Sequence, residues 1–351
     1  MHYTTFGRRT GLRVSEYALG TANFGTSPGA GAGRGQSRAI FDAFAAAGGT
    51  FIDSADHYQG GESEIALGEL LAADRDHFVL ATKYSRGTPG HTRINETGNS
   101  RKTMVRSLEA SLQRLGTDYV DVYWVHLPDT LTPVDEIVAA FDDLTRAGKI
   151  LHGGLSNFPA WRVATAATIA DLRGKSPIIG IQAEYSLADR TADRDLLPMA
   201  EAFGLGAALY APLGGGLLTG KYRLGDEGRL RTLGGGVRLE DGDQKTAILD
   251  TVLAIAGETG ATAAQVSMAW LRHHAARSAT AFIPVIGPRT TTQLDDYLAA
   301  LDLDLTSEQY DRLQKTSAVA LGTPHETVAA ALPGSLGGDA RLVHRHPVPV
   351  I

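Results

Sequence analysis

Short runs of β-branched and aromatic residues alternate with longer segments of helical periodicity along most of the chain. The runs have the length expected of buried strands. One of the longer segments places Met104, Leu108, Leu112 and Leu115 on a single helical face. A regular alternation of strands and helices is typical of a parallel barrel with an outer ring of helices. The eight strand-like runs are, in order, YALGTANF, FIDSAD, FVLATKY, VDVYWVH, ILHGGLS, GIQAEYS, LGAALYA and AFIPVIG.

The pattern predicts an α/β fold, a (β/α)8 TIM barrel of eight parallel strands, with an open doubly wound sheet as the alternative. A β-hairpin is expected over residues 3–14, ahead of the barrel. We expect a single domain over residues 1–351, with a core over about 3–315 and a C-terminal extension over 316–351, in which residues 331–351 are expected to form an extended tail. Helices are expected near residues 36–48, 62–73, 100–115, 134–147, 159–171, 193–203, 244–257 and 290–300.

Composition narrows the class of protein. The chain has 351 residues, a formal net charge of −6 and no cysteine. This balance offers no basic surface for nucleic acid and no polybasic segment for a membrane surface. Without cysteine there are no disulfides, no thiolate nucleophile and no cysteine-ligated metal. The N-terminal sequence lacks the apolar core of a signal peptide, and no apolar stretch reaches the length of a membrane span. We therefore expect a cytoplasmic protein with a small-molecule partner and no metal.

Two glycine-rich segments approach known phosphate-binding motifs without matching them. Gly29–Gly35 (GAGAGRG) fails the G-x-G-x-x-G spacing, which favours a flexible loop. Gly215–Tyr222 (GGLLTGKY) satisfies G-x-x-x-x-G-K, but Tyr222 stands where a P-loop needs serine or threonine to hold magnesium. The backbone amides of this second segment, together with Lys221, could still bind a phosphate of another kind.

Polar residues follow many of the predicted strands at their carboxyl ends, where the reacting groups of a barrel enzyme lie. Each has an ordinary structural explanation when taken alone, such as an ion pair for Asp53 with Lys83 or a hydrogen-bonded core position for His126. Together, however, they bring several ionisable groups to one mouth of the barrel, which favours catalysis. These residues are Asp53, Tyr58, Lys83, His126, Ser156, Asn157, Gln182 and Tyr210.

The chemistry that suits this set is proton donation to a carbonyl oxygen. A phenol is a weak acid near neutral pH, but a nearby cation stabilises the phenolate and makes the proton easier to release. Lys83 can supply the cation for Tyr58, Asp53 can hold Lys83 in its charged form, and His126 can orient the carbonyl. The alternative is a Schiff base on Lys83, as in a barrel lyase, although a neighbouring carboxylate opposes the neutral amine that this chemistry needs.

With these residues assembled, the chain resembles the aldo-keto reductase family, most strongly its bacterial-type NADP-dependent members. The resemblance extends over about residues 3–315, and its segments occur in family order. They are GLRVSEYALGTANFG, FIDSADHYQGGESEIALGEL, ATKY, SLEASLQRLGTDYVDVYWVHLPD, GKILHGGLSNF, IQAEYSL, YAPLGGGLLTGKY and IPVIGPRTTTQL.

The resemblance implies an enzyme that reduces an aldehyde or ketone to an alcohol, with a nicotinamide cofactor bound directly on the barrel. It implies that Tyr58 is the general acid, that Asp53 and Lys83 assist it, and that His126 orients the carbonyl. It also implies NADPH as the cofactor, with NAD less favoured, because Arg289 is suited to a 2′-phosphate. Where the family often has an asparagine that contacts adenine, this chain has Tyr297.

The implied cofactor contacts fall at the carboxyl ends of the strands and in the two segments that follow the seventh and eighth. Ser156, Asn157 and Gln182 match the residues that hold the nicotinamide carboxamide, and Tyr210 matches the aromatic ring that stacks on it. The full set is Gly20, Thr21, Asp53, Ser156, Asn157, Gln182, Tyr210, Ala211, Leu213, Gly215, Lys221, Arg231, Gly287, Arg289, Gln293 and Tyr297.

Phe24, Tyr84 and Trp124 are candidate apolar walls of the substrate pocket, and Trp124 could equally belong to the barrel core. The expected substrate is a small carbonyl compound, either an aryl aldehyde, a ketone or a keto-sugar. One further alternative is a cofactor-binding regulatory subunit of a channel, which some members of the resembled family are.

Overall fold

The first two strands of the chain form a small sheet of their own ahead of the barrel. The structure, a computed structural model, describes residues 1–26, 31–88, 90–224 and 240–344. Strands β1 (Tyr3–Thr5) and β2 (Arg13–Ser15) pair in antiparallel fashion, with Thr4 opposite Val14. The expected N-terminal hairpin is therefore confirmed.

Eight parallel strands, labelled β3 to β10 in chain order, follow and close into a barrel. The last strand, β10, pairs with both β9 and the first barrel strand, β3. Seven of the predicted runs contain one of these strands, and the run GIQAEYS overlaps β8, which begins two residues earlier. The predicted (β/α)8 fold is confirmed over the open-sheet alternative. The strands are β3 (Ala18–Gly20), β4 (Phe51–Asp53), β5 (Val79–Tyr84), β6 (Val120–Val125), β7 (Ile150–Ser156), β8 (Ile178–Glu184), β9 (Gly206–Tyr210) and β10 (Phe282–Ile286).

Helices lie between and after the barrel strands. Those near the predicted positions are α1 (Arg34–Ala46), α2 (Glu62–Leu71), α3 (Arg101–Leu115), α4 (Val134–Arg146), α5 (Ala160–Leu172), α6 (Leu196–Phe203), α7 (Asp243–Thr259) and α9 (Thr291–Ala299). Those not predicted are α8 (Ala263–Ala275), α10 (Ser307–Ser317) and α11 (His325–Ser335). No single helix in the described ranges is long and apolar enough to cross a membrane; α7 and α8 pass that test only as a pair bent by 99°.

The start of the expected extended tail is helical, because residues 331–335 belong to helix α11 (His325–Ser335). The sequence there is HETVAAALPGS, whose alanines and leucine are strong helix formers. Pro333 and Gly334 favoured an irregular segment, but they fall in the last turn of the helix. The prediction of an extended tail was therefore wrong for residues 331–335.

Two large aromatic side chains fill the interior of the barrel below the carboxyl ends of its strands. Phe6, from the turn after β1, packs edge-on against Trp124 with ring centroids 6.1 Å apart, and both are fully buried. Glycines on three adjacent strands make room for them. A Cβ atom would lie 2.3 Å from the Trp124 ring at Gly154, 2.4 Å from the Phe6 ring at Gly180 and 2.8 Å from it at Gly206. This apolar plug leaves the carboxyl ends of the strands as the place for polar groups.

The plug predicts that Gly154→Ala destabilises the protein. The new methyl group must displace the Trp124 ring in a closely packed barrel, which costs about 1–3 kcal/mol. The free energy of unfolding, measured by urea denaturation, should fall by this amount. Gly35→Ala is the matched control, because its Cβ would meet nothing within 4 Å and it lies in α1. Equal stability of Gly154→Ala and the control would refute the tight packing described here.

Candidate active site

A buried lysine joins the groups at the carboxyl ends of β4 and β5. Lys83 Nζ donates to Asp53 Oδ2 at 2.6 Å, to the backbone oxygen of Ser54 at 2.6 Å and to Tyr58 Oη at 3.1 Å. An ammonium group has three hydrogens, so all three are used. Because Tyr58 Oη accepts from Lys83, the phenol's own hydrogen is available for another acceptor. The geometry thus presents Tyr58 as a donor at the barrel mouth.

The charge on Lys83 is maintained although its side chain is 0% exposed. Burial alone would lower its pKa, but Asp53 and Tyr58 act in the opposite direction, and the net effect is a raised pKa. Asp53 is also held from across the barrel, since Gln182 Nε2 donates to its Oδ1 at 2.9 Å. Both carboxylate oxygens of Asp53 therefore have partners, and the Lys83 ammonium has a fixed position.

His126 follows β6 and faces Tyr58, with ring centroids 5.9 Å apart. Burial, followed by the positive charges of Lys83 and others nearby, lowers the pKa of His126 to about 2. The imidazole is neutral near pH 7 and carries one N–H. Its Nδ1 atom has no hydrogen-bond partner in the described parts of the chain. A neutral imidazole beside a phenol is suited to hydrogen-bond a carbonyl oxygen.

A second cluster of amide and hydroxyl groups lies beyond β7 and β9. Asn157 Nδ2 donates to the backbone oxygen of His126 and to Ser156 Oγ, each at 3.0 Å. Tyr210 Oη donates to Asn157 Oδ1 at 2.8 Å. Asn157 and Ala211 both have positive φ angles, 60° and 55°, so the chain turns sharply where these strands end. The turns keep the Asn157 amide and the Tyr210 ring at the mouth.

A cavity of about 580 Å³ opens over these groups. Most of the residues predicted from the sequence line it, both around Tyr58 and His126 and along the predicted cofactor segments. These are Gly20, Asp53, Tyr58, His126, Asn157, Gln182, Tyr210, Ala211, Leu213, Gly215, Lys221, Gly287, Arg289, Gln293 and Tyr297.

Three of the residues predicted for catalysis or cofactor binding stand apart from this lining. Lys83, Thr21 and Ser156 are fully buried behind it, and Thr21 Oγ1 donates to the backbone oxygen of Asp53 at 3.1 Å. Arg231 lies outside the described residues. Thr21 thus holds the backbone at Asp53, and Ser156 accepts a hydrogen bond from the Asn157 amide.

The three predicted substrate walls are placed elsewhere by the fold. Phe24, Tyr84 and Trp124 are all fully buried, and none is among the described residues that line the cavity. Trp124 belongs to the plug in the lower barrel, and Tyr84 stacks on Tyr123 at 5.2 Å. The prediction that these three residues form walls of the substrate pocket was therefore wrong for this cavity.

The structure adds residues that the sequence patterns did not single out. Arg86 and Leu127, just beyond β5 and β6, line the cavity on the side of His126. His57 packs between Tyr58 and His126, with ring centroids 5.0 Å and 4.9 Å away. His57 directly precedes Tyr58 in the chain, and that adjacency was the one signal available. Further new lining residues are Ala22, Asn23, Pro212, Gly216, Thr219, Ala264, Val285 and Asp296.

The glycine-rich segment after β9 forms tight turns over Gly214–Thr219, with φ angles of 67° at Gly215 and 96° at Gly216. A Cβ atom at Gly216 would lie 3.1 Å from Lys221 Cε, so the lysine folds back over the glycine backbone. Glycine is suited to these positions because other residues rarely adopt positive φ. The turn and Lys221 together line one end of the cavity.

The comparisons agree with this geometry. The Aldo/keto reductase family matches residues 17–318, and the chain belongs to that family. It is 33% identical over 341 residues to the aldo-keto reductase ausK of Aspergillus calidoustus, covering 93% of this chain and 84% of that protein. It is 34% identical over 324 residues to the norsolorinic acid reductase of Aspergillus flavus, covering 90% and 80%. The putative aryl-alcohol dehydrogenase AAD14 of Saccharomyces cerevisiae is 31% identical over 336 residues, covering 92% and 88%.

The predicted family is thereby confirmed, and the protein is an oxidoreductase of the carbonyl-reducing type. The relatives named here are fungal, whereas the sequence predicted the strongest resemblance to bacterial-type members.

The low pKa of His126 predicts how stability depends on pH. Below pH 6.5 the unfolded chain protonates this histidine, while the folded protein, with a pKa of about 2, does not. The free energy of unfolding therefore falls as the pH decreases below 6.5. Between pH 7 and pH 5, protonation of His126 in the unfolded chain should lower the free energy of unfolding by about 2 kcal/mol.

The measurement is urea unfolding of the wild type and His126→Gln at the two pH values. Glutamine does not titrate, so the variant should lose less stability on acidification, by about that amount. Identical pH dependence of the two proteins would contradict a buried neutral imidazole.

Proposed function

We propose that this protein is an NADPH-dependent reductase that converts an aldehyde or ketone to an alcohol, with Tyr58 as the general acid. The observation that carries the proposal is the position of Lys83, whose Nζ contacts both Asp53 and Tyr58 Oη in a fully buried setting. This arrangement places a cation where it stabilises the phenolate that remains when Tyr58 gives up its proton.

Each polar group then has a distinct part. Tyr58 donates its proton to the carbonyl oxygen, and the Lys83 ammonium at 3.1 Å stabilises the phenolate that remains. Asp53 keeps Lys83 charged and in place. Neutral His126 donates its N–H to the same carbonyl oxygen, which orients the carbonyl beside Tyr58. The buried surroundings strengthen these interactions because water is excluded from them.

The residues around the cavity fit a nicotinamide dinucleotide. The Asn157 and Gln182 amides supply donors and acceptors for a carboxamide, and the Tyr210 ring offers a stacking surface. Lys221 and the tight glycine turn suit a pyrophosphate, and Arg289 suits a 2′-phosphate. Gln293 Oε1 accepts from the Arg289 backbone amide at 2.8 Å, which orders the loop carrying this arginine. When bound, the cofactor supplies the hydride that reduces the carbonyl carbon.

The position of Tyr297 supports a further detail of the same site. It lines the cavity beside Arg289 and Gln293, where the family often has an asparagine. An aromatic ring there is suited to stack on adenine. Arg231, in the segment outside the described residues, remains a candidate phosphate contact.

Two alternatives are less well supported. A Schiff base on Lys83 requires a neutral amine, and the raised pKa of Lys83 beside Asp53 opposes it. A regulatory channel subunit would need only cofactor binding, whereas this chain retains a paired lysine, a phenol and a neutral imidazole around one cavity.

The first test is Tyr58→Phe. Loss of the general acid should lower kcat for aldehyde reduction by at least about 100-fold, with NADPH binding unchanged. NADPH oxidation is followed with a panel of aryl aldehydes, ketones and keto-sugars, and binding by fluorescence titration. Tyr3→Phe is the matched control, since its phenol donates to Gly48 on the outer hairpin. Full activity of Tyr58→Phe would rule out the assigned acid.

The second test concerns the choice of cofactor. Arg289→Gln removes the proposed partner of the 2′-phosphate, a charge-assisted contact worth about 1.5–3 kcal/mol, or roughly 10–100-fold in Kd. The Kd for NADPH should rise by this factor, and the Kd for NADH should change little. Equal changes for the two cofactors would show that Arg289 does not read the 2′-phosphate.

A further inference from the structure

Arg86 occupies the half of the cavity mouth that faces away from the proposed phosphate contacts. It follows β5, and in the barrel order β10-β3-β4-β5-β6-β7-β8-β9 this strand lies three strands from β10 and four from β9. Lys221 and Arg289 follow β9 and β10. The guanidinium of Arg86 is therefore separated from both of these cations by the width of the barrel. It lies on the side of His126 and Leu127, which line the cavity with it.

A histidine fixes the direction of this arginine. Arg86 Nη1 lies 3.3 Å from His57 Nε2, and because a guanidinium can only donate, Nε2 is the acceptor. His57 Nδ1 lies 3.4 Å from Oδ1 of the buried Asp56, although neither atom has a hydrogen-bond partner among the described residues. The contact between Arg86 and His57 therefore places the Arg86 guanidinium one imidazole ring away from Tyr58 and His126.

The charge of Arg86 is not neutralised within the described parts of the chain. No carboxylate there lies within ion-pair distance of its guanidinium. The two carboxylates that line the cavity have other partners: Asp53 is paired with Lys83, and Asp296 accepts hydrogen bonds at 2.8 Å from Thr262 Oγ1 and Gln265 Nε2. The positive charge of Arg86 also acts on His126, because it is one of the groups that lower the pKa of that histidine.

We propose that Arg86 binds an anionic group of the substrate, so that the preferred substrates are aldehydes or ketones carrying a carboxylate or a phosphate a few bonds from the carbonyl. The guanidinium fork matches both kinds of oxyanion. Arg86 is exposed to solvent as well as lining the cavity, so a free anion can reach it. This inference rests on the proposed carbonyl reduction and adds the class of substrate to it.

The experiment compares matched pairs of substrates under steady-state conditions with NADPH. One pair is 3- or 4-carboxybenzaldehyde with its methyl ester, and the other is glyceraldehyde 3-phosphate with glyceraldehyde. In the wild type, kcat/KM should be at least about 10-fold higher for the anionic member of one pair, a value typical of a charge-assisted contact. Which pair shows the preference distinguishes a carboxylate from a phosphate. The preference should also shrink as NaCl is added, because the contact is partly exposed.

Three variants isolate the role of the guanidinium. Arg86→Gln should reduce the ratio of anionic to neutral kcat/KM by about 10-fold, and Arg86→Lys should retain part of it because the charge remains. Arg93→Gln is the matched control, since it removes the same charge from an exposed position in the same loop that is not among the cavity residues. Its ratio should equal that of the wild type.

The outcomes separate the two proposals. If the neutral compounds are reduced but no anionic member is preferred, the role of Arg86 is overturned and the proposed reductase activity stands. Equal ratios in Arg86→Gln and Arg93→Gln also overturn it. If none of the compounds oxidises NADPH, the proposed function fails, and the substrate class fails with it.

Discussion

The site depends on the ion pair between Lys83 and Asp53. Transfer of an unpaired ammonium group from water to a buried position costs several kcal/mol, so this lysine is tolerable only with its partners in place. Adjacent parallel strands provide them, because β4 ends at Asp53 opposite Ala81 of β5, and Lys83, two residues further along β5, reaches the Asp53 carboxylate. The third hydrogen of the ammonium then reaches Tyr58 Oη. One interaction therefore satisfies a buried charge and fixes the proposed acid.

The electrostatics of the mouth extend outward from this pair. Among the described residues, those that line the cavity include the cations Arg86, Lys221 and Arg289 and the carboxylates Asp53 and Asp296, and Asp53 is paired with Lys83 directly behind it. The cavity is thus locally positive in a chain whose formal net charge is −6. A positive cleft in an acidic protein attracts anions to one place and repels them from the rest of the surface. Both a dinucleotide and an anionic carbonyl compound suit such a field.

The sequence predicted the barrel strands well, because buried parallel strands form short apolar runs with polar residues at their ends. Helix α8 was missed for a physical reason. Most of its residues from Ala263 to Leu271 are buried, so it lacks the polar face that reveals an amphipathic helix. Many of the polar residues that line the cavity were predicted, because they lie at the ends of the strands. The apolar walls were not, since Trp124 and Tyr84 differ from true lining residues only in depth and direction, which depend on the tilt of the strands.

In the proposed function, Lys83 and Arg86 supply chemistry and selectivity separately from one segment. They are three residues apart, yet Lys83 is the penultimate residue of β5 with no exposed surface, and Arg86 lies beyond the strand in contact with solvent. Replacing Lys83 would leave Asp53 as an uncompensated buried charge and would disturb the fold as well as the acid. Replacing Arg86 removes an exposed charge and leaves the buried pair intact. The scaffold can therefore keep its reaction while the residue just past the strand changes the compound that it selects.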